Sequence, residues 1–121
     1  MRIPNFAKQI NRKNKKRIKM VNVVIYLEKN HDAKYLVETL LKTKLIASAS
    51  IDVNNASYQL VNDVCKENIY TVITVQSKAL LFSEIVAHVE SIAGKETPIY
   101  STPIVGSNKT FDNIIKSKTS Q

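Results

Sequence analysis

Along residues 20–28, MVNVVIYLE, apolar side chains fall on every second position: Val21, Val23, Ile25 and Leu27 share one face, and Asn22, Val24 and Tyr26 the other. This period of two predicts a first strand. Its partly apolar second face predicts that something covers that side too. After Asn30 and Asp32, both helix-start residues, the spacing changes: Ala33, Leu36, Val37, Leu40 and Leu41 recur at helical intervals, with Lys42 and Lys44 at the C-terminal turn. LIASASIDV then resumes alternation and continues through NNAS into YQLV, which predicts one long bent strand ending at the turn signal Asn62-Asp63. ENIYTVITVQ predicts a third strand, antiparallel to the second, with Ile69, Thr71, Ile73 and Val75 on one face and Tyr70, Val72 and Thr74 on the other. Ser77 is read as the cap of a second helix, in which Phe82, Ile85, Val86, Val89 and Ala93 share a face and which Gly94 stops. KETPIYSTPIV predicts a fourth strand. Residues 108–116 predict a short final helix with Phe111, Ile114 and Ile115 on its apolar side.

The order β-α-β-β-α-β plus one helix is that of an α+β, ferredoxin-like plait, with a four-stranded antiparallel sheet, two helices on one face and a short C-terminal helix. In that plait the last strand lies at a sheet edge. Pro98 and Pro103 fit there because proline cannot donate to a ladder, and an edge has one side with no ladder to complete.

Composition changes this picture little, and charge changes it only at one end. The net charge is +8, yet residues 1–19 hold eight Lys and Arg and no acid, which leaves ten cations against ten acids in the rest. We therefore divide the chain into a basic leader, 1–19, expected to be mobile, and a single domain, 20–121. The leader lacks the apolar stretch of a secretory signal, and it is poor in Ser and in amphipathicity for an organelle presequence. It reads as an upstream extension, with Met20 as an alternative start, or as a polyanion-binding tail. The single cysteine, Cys65, rules out an intramolecular disulfide and favours a reducing, cytoplasmic setting. No apolar run approaches the roughly 20 residues of a membrane span.

Catalytic chemistry finds no pattern. His31 and His88 stand far apart with no ligand-spaced partner, and no glycine-rich phosphate loop or GxSxG elbow occurs. Glu84 and Glu90 are six residues apart on one helix and do not converge. The expectation is a protein that is not an enzyme. Tyr26 and Tyr70 occupy the strands on which RNA-binding sheets carry aromatics, but ENIYTVITV lacks their glycine, paired aromatics and basic start, so nucleic acid is not the expected partner.

Taken together, VVIYLEKNHDAKYLVETLLKTKLIASASI, ENIYTVITVQSK and ETPIYSTPIV followed by FDNIIKS resemble the CutA divalent-cation tolerance family, small ferredoxin-like proteins related in architecture to PII signalling proteins. The resemblance spans Val21 to Ser117. It implies a homotrimer in which the hairpin strands and the fourth strand pair across subunits, with Tyr70, Val72, Pro98 and Pro103 at the interface. It also implies clefts between subunits, bordered by Tyr26, Lys95, Glu96, Thr97 and the bend near Asn54-Asn55, where a small ligand or ion sits. The family's metal-binding positions depart here. Tyr26 replaces a cysteine late in the first strand, IAGKE holds no histidine before TP, Ile99 replaces the glutamate after it, and LVND replaces a WEG hairpin. The implied function is divalent-cation response, copper above all, with an altered site for which Cys65 and His31 are the remaining ligand candidates and with no cofactor required. A PII-like regulator that senses a small ligand in the same clefts is the alternative.

Overall fold

The computed structural model describes residues 18–120. Four strands, β1 (Met20–Glu28), β2 (Ser48–Val61), β3 (Val64–Lys78) and β4 (Ile99–Ile104), form one antiparallel sheet in the order β2-β3-β1-β4. Helices α1 (Ala33–Lys42) and α2 (Phe82–Ala93) follow β1 and β3, and α3 (Lys109–Lys118) closes the chain. This is the expected ferredoxin-like plait. Apart from Ile18 and Lys19, the basic leader lies outside the described residues.

The main core forms where the odd-numbered face of β1 meets the two helices. Val23, Ile25, Leu27, Ile73 and Val75 from the sheet are fully buried against Leu36 and Leu40 of α1 and Ile85 and Val89 of α2. Apolar residues at i and i+4 on each helix meet apolar residues at i and i+2 on each strand, so the two periodicities interlock. Leu41, counted with this face from its spacing, is instead 40% exposed.

Capping agrees with expectation at Asp32 and Gly94, differs at Ser77, and adds a cap at Asn108, which the sequence reading placed inside the last helix. Asp32 caps α1 by accepting from the Tyr35 N–H, Asn108 caps α3 by accepting from the Phe111 N–H, and Gly94 ends α2 with φ 100°. Ser77 does not cap α2. The strand runs on to Lys78, a 3-10 turn at Ala79–Leu81 follows, and Ser77 is buried with its hydroxyl donating to the Leu45 carbonyl at 2.6 Å. The hydroxyl that resembled a cap in sequence ties β3 to the segment entering β2.

The second sheet face is covered in part by the chain itself. Ile115 of α3 is fully buried with Met20 and Ala47, and Phe111, Ile104 and Ile18 pack around them. Ile114, assigned to the same side from its spacing, is 40% exposed. The segment after α3 is held by the Ser120 N–H donating to the Lys44 carbonyl at 2.9 Å and by the Lys78 ammonium donating to the Ser120 carbonyl at 2.9 Å.

At the edge, register frees Pro103 from the ladder, whereas Pro98, just before β4, accepts from Tyr26 and has no N–H to return. Tyr26 donates its N–H to the Pro98 carbonyl at 3.0 Å, so alternate residues Val24 and Asn22 also turn their backbone groups toward β4. Their partners Tyr100 and Thr102 face inward, while Pro103, opposite Val21, falls in the intervening non-hydrogen-bonded position. Its missing N–H therefore lies on the open side of the edge and costs no ladder bond.

The β2–β3 hairpin is the most extended feature. β1 ends at Glu28 opposite Tyr70, whereas β3 starts at Val64, so the hairpin continues about 20 Å beyond the three-stranded part of the sheet. Its two-residue turn has positive φ at both Asn62 and Asp63, the type I′ geometry suited to a twisted hairpin. The register shifts between Asp52 and Asn55, where Asn54 has φ 58°, so the bend expected at NNAS is a bulge that keeps the strand continuous.

Candidate functional site

The sheet end at the C-terminus of β1 gathers most of the residues singled out from sequence. Tyr26 is half-buried, with its ring edge-on to Tyr70 at 5.4 Å between centroids and tilted against Tyr100 at 6.5 Å. Tyr26 meets the α2–β4 connection through its bond to Pro98. In that connection Lys95 and Glu96 are exposed, and Thr97 donates its hydroxyl to the Ala93 carbonyl at 3.2 Å. His31 lies in the β1–α1 turn, where its N–H donates to the Glu28 carbonyl. The fold thus brings Tyr26, His31 and the segment 95–98 to one end of the sheet.

Cys65 is not part of that group. It is exposed, opposite Leu60 near the hairpin turn, several residues beyond the last residue of β1. His88 lies between the helices with Nε2 2.8 Å from the Thr39 hydroxyl. Because Thr39 Oγ1 also donates to the Leu36 carbonyl, its hydrogen is committed and His88 Nε2 is the donor. No group of three or more His, Cys, Asp or Glu side chains converges among the described residues. The donor set of the described residues therefore does not by itself fit a resident metal ion, which takes several converging nitrogen, sulfur or oxygen ligands.

Tyr70 and Val72 are already covered within the single chain, at 9% and 8% exposure. Exposed apolar side chains include Leu60 at 75% with Tyr58, Val61 and Val64 on the projecting hairpin, Val53 at the bulge, and Leu80 and Val105 elsewhere. Tyr58 donates its hydroxyl to Glu67 across the strands at 2.5 Å, and this bond, followed by the charge of Glu67, raises its phenol pKa above the ordinary value. These positions escaped the sequence reading because alternation marks a face without telling whether the face is covered.

A second feature that sequence reasoning missed runs across the sheet beside α3. Ser48 on β2, Gln76 on β3 and Asn22 on β1 are register neighbours on the second face. The Ser48 hydroxyl donates to Gln76 Oε1 at 2.6 Å, and Gln76 Nε2 donates to Asn22 Oδ1 at 2.9 Å. The signal was present in MVNVV and TVQSK, each an apolar strand interrupted by one amide.

No family sequence model and no curated protein matches the chain. Solved structures do match. CutA1 of Ehrlichia chaffeensis, a divalent ion tolerance protein, superposes with a TM-score of 0.77 at 20% identity over 86% of this chain and 98% of that one. CutA1 of Oryza sativa gives 0.79 at 16% identity over 87% and 97%. The periplasmic divalent cation tolerance protein CutA of Archaeoglobus fulgidus gives 0.74 at 19% identity over 82% and 97%. Strand order, helix placement and near-complete coverage of those chains agree: this chain has the ferredoxin-like fold of the CutA1 divalent ion tolerance proteins.

Proposed function

We propose that the protein is a CutA-type homotrimer that acts in divalent-cation response, copper above all, without enzymatic activity and with an altered metal site. The observation that carries this reading is the structural match over 97–99% of the length of CutA chains, three of them described as divalent ion or cation tolerance proteins. The hairpin supports assembly: a two-stranded arm with Tyr58, Leu60 and Val64 in solvent is marginal alone and gains stability when its apolar surface is covered by another copy. Val72, Tyr70, Pro98 and Pro103 then border the interface, and Tyr26, Lys95, Glu96 and Thr97 line the cleft. Any metal site is shared between subunits, with Cys65 and His31 as candidate ligands, and the free exposed cysteine suits the cytoplasm. No helix among the described residues is long and apolar enough to cross a membrane. The basic leader, 1–19, is an appendage to the domain in this reading.

Growth in rising copper tests the function: cells lacking the protein are expected to stop growing at lower copper than cells expressing it. Equal sensitivity would overturn the reading. The alternative is a PII-like regulator that senses a small ligand in the same clefts, favoured by the half-buried Tyr26 meeting the connection that carries the exposed Lys95 and Glu96.

A further inference from the structure

The basic leader joins the domain beside exposed apolar side chains. Its last two residues are Ile18 and Lys19, and the Ala79 N–H donates to the Lys19 carbonyl at 2.9 Å, which pins the junction against the 3-10 turn after β3. Leu80 of that turn is 76% exposed, and Val105, one residue past the last pair of β4, is 89% exposed. Two grooves meet at the junction. One of about 410 Å³ is lined by Ile18, Lys19, Lys78, Ala79 and Leu80, and one of about 290 Å³ reaches from Ile18 and Lys19 to Val105. Neither Leu80 nor Val105 belongs to a packed core cluster, so the fold itself does not require them. The turn stands at the opposite end of β3 from the hairpin, so an assembly through the hairpin does not call on Leu80.

Charge at this junction is one-sided. Residues 1–17 carry seven Lys and Arg and no acid, five of them in the run Arg12, Lys13, Lys15, Lys16 and Arg17. Lys19 is exposed, and Lys116, also exposed, shares a small cavity with Ile18. Lys78 is buried and its ammonium serves the Ser120 carbonyl, so it adds little to the surface. The acids near the junction are Asp112, which lines that same cavity and accepts from Ser107, and Glu84 in the first turn of α2. A basic run or an exposed leucine is ordinary by itself. Side by side they complement an anionic phospholipid surface, where Lys and Arg meet the headgroups and aliphatic side chains enter the acyl boundary. Nucleic acid fits less well, because it stacks its bases on aromatic rings and no aromatic residue lines either groove.

We propose that the leader junction is a peripheral docking surface for anionic phospholipid membranes. The basic run lies on the headgroups, and Leu80, with Val105 beside it, enters the outer acyl boundary. The surface lies apart from the sheet end holding Tyr26 and His31, goes beyond the cation-response reading and does not depend on it.

Co-sedimentation of the full-length protein with phosphatidylcholine vesicles containing about 30% phosphatidylserine tests this. Binding is expected at about 0.1 M salt, is expected to be absent from pure phosphatidylcholine vesicles, and should fall by about ten-fold or more at about 0.5 M salt. The joint substitution Lys13→Gln, Lys15→Gln, Lys16→Gln and Arg17→Gln should weaken it by about ten-fold or more, and Leu80→Asn several-fold with the fold intact. Because the chain has no tryptophan, Leu80→Trp reports insertion, and its emission should shift to the blue on the anionic vesicles alone. No binding to anionic vesicles, unchanged affinity of Leu80→Asn, or an unmoved emission of Leu80→Trp would each overturn the proposal. A single-stranded oligonucleotide that displaces the vesicles and binds Leu80→Asn with full affinity would also overturn it, assigning the junction to nucleic acid.

Discussion

Ser77 shows how one hydroxyl can be read correctly as a chemical group and wrongly as a position. A serine before an apolar helical repeat is a cap signal, but Lys78 and a three-residue 3-10 turn separate it from α2, and its hydroxyl serves the Leu45 carbonyl inside the core. Ser77→Ala is expected to lower stability by about 1–3 kcal/mol, the cost of leaving a buried acceptor unpaired. Urea denaturation reads this, and an unchanged midpoint would contradict it. Tyr58 offers a pH test on the hairpin. Its phenol prefers the protonated form because Glu67 accepts its hydrogen. The folded pKa is raised, so the cross-strand bond is fully present below the ordinary phenol range and is lost as pH rises through the raised value. A pH titration of the Tyr58 ring by NMR should show a midpoint above 10.0, falling toward it in Glu67→Gln. The Asn22–Gln76 amides were equally visible in sequence, but only register could show that they are neighbours.

Whole elements were the most legible part of the chain. The strand periods of β1 and β3, the Asp32 cap, the Asn62-Asp63 turn and the edge position of a proline-bearing strand each rest on local backbone preferences, and all appear where those preferences put them. Coverage was less legible. Leu41 and Ile114 sit at apolar helical positions yet face outward, since burial depends on which neighbour arrives and not on spacing alone. The final helix is the clearest case: its fully buried Ile115 fastens it across the second face beside Met20. Ile115→Ala is expected to cost about 2–5 kcal/mol. Amide exchange should accelerate first in α3 and at Ser120, while β1 and β3 stay protected. Uniform loss of protection would show that α3 is not a separable cover.

At the scale of the molecule, the sequence showed a second sheet face in need of cover and placed the interface on Tyr70 and Val72. In the single chain those two are covered at one side of the hairpin base, and the projecting hairpin adds exposed apolar surface at Tyr58, Leu60, Val61 and Val64. A plait of this size needs no such arm for its own core, so the arm's apolar residues bear on assembly. Leu60→Asp is accordingly expected to leave the helix-packed core folded and to shift the assembly toward monomer, as read by sedimentation. The most direct measurement is the native mass by light scattering, with and without copper. A mass three times the chain's 13.6 kDa in both conditions is the predicted result. A stable monomer of 13.6 kDa would contradict the CutA-type assembly.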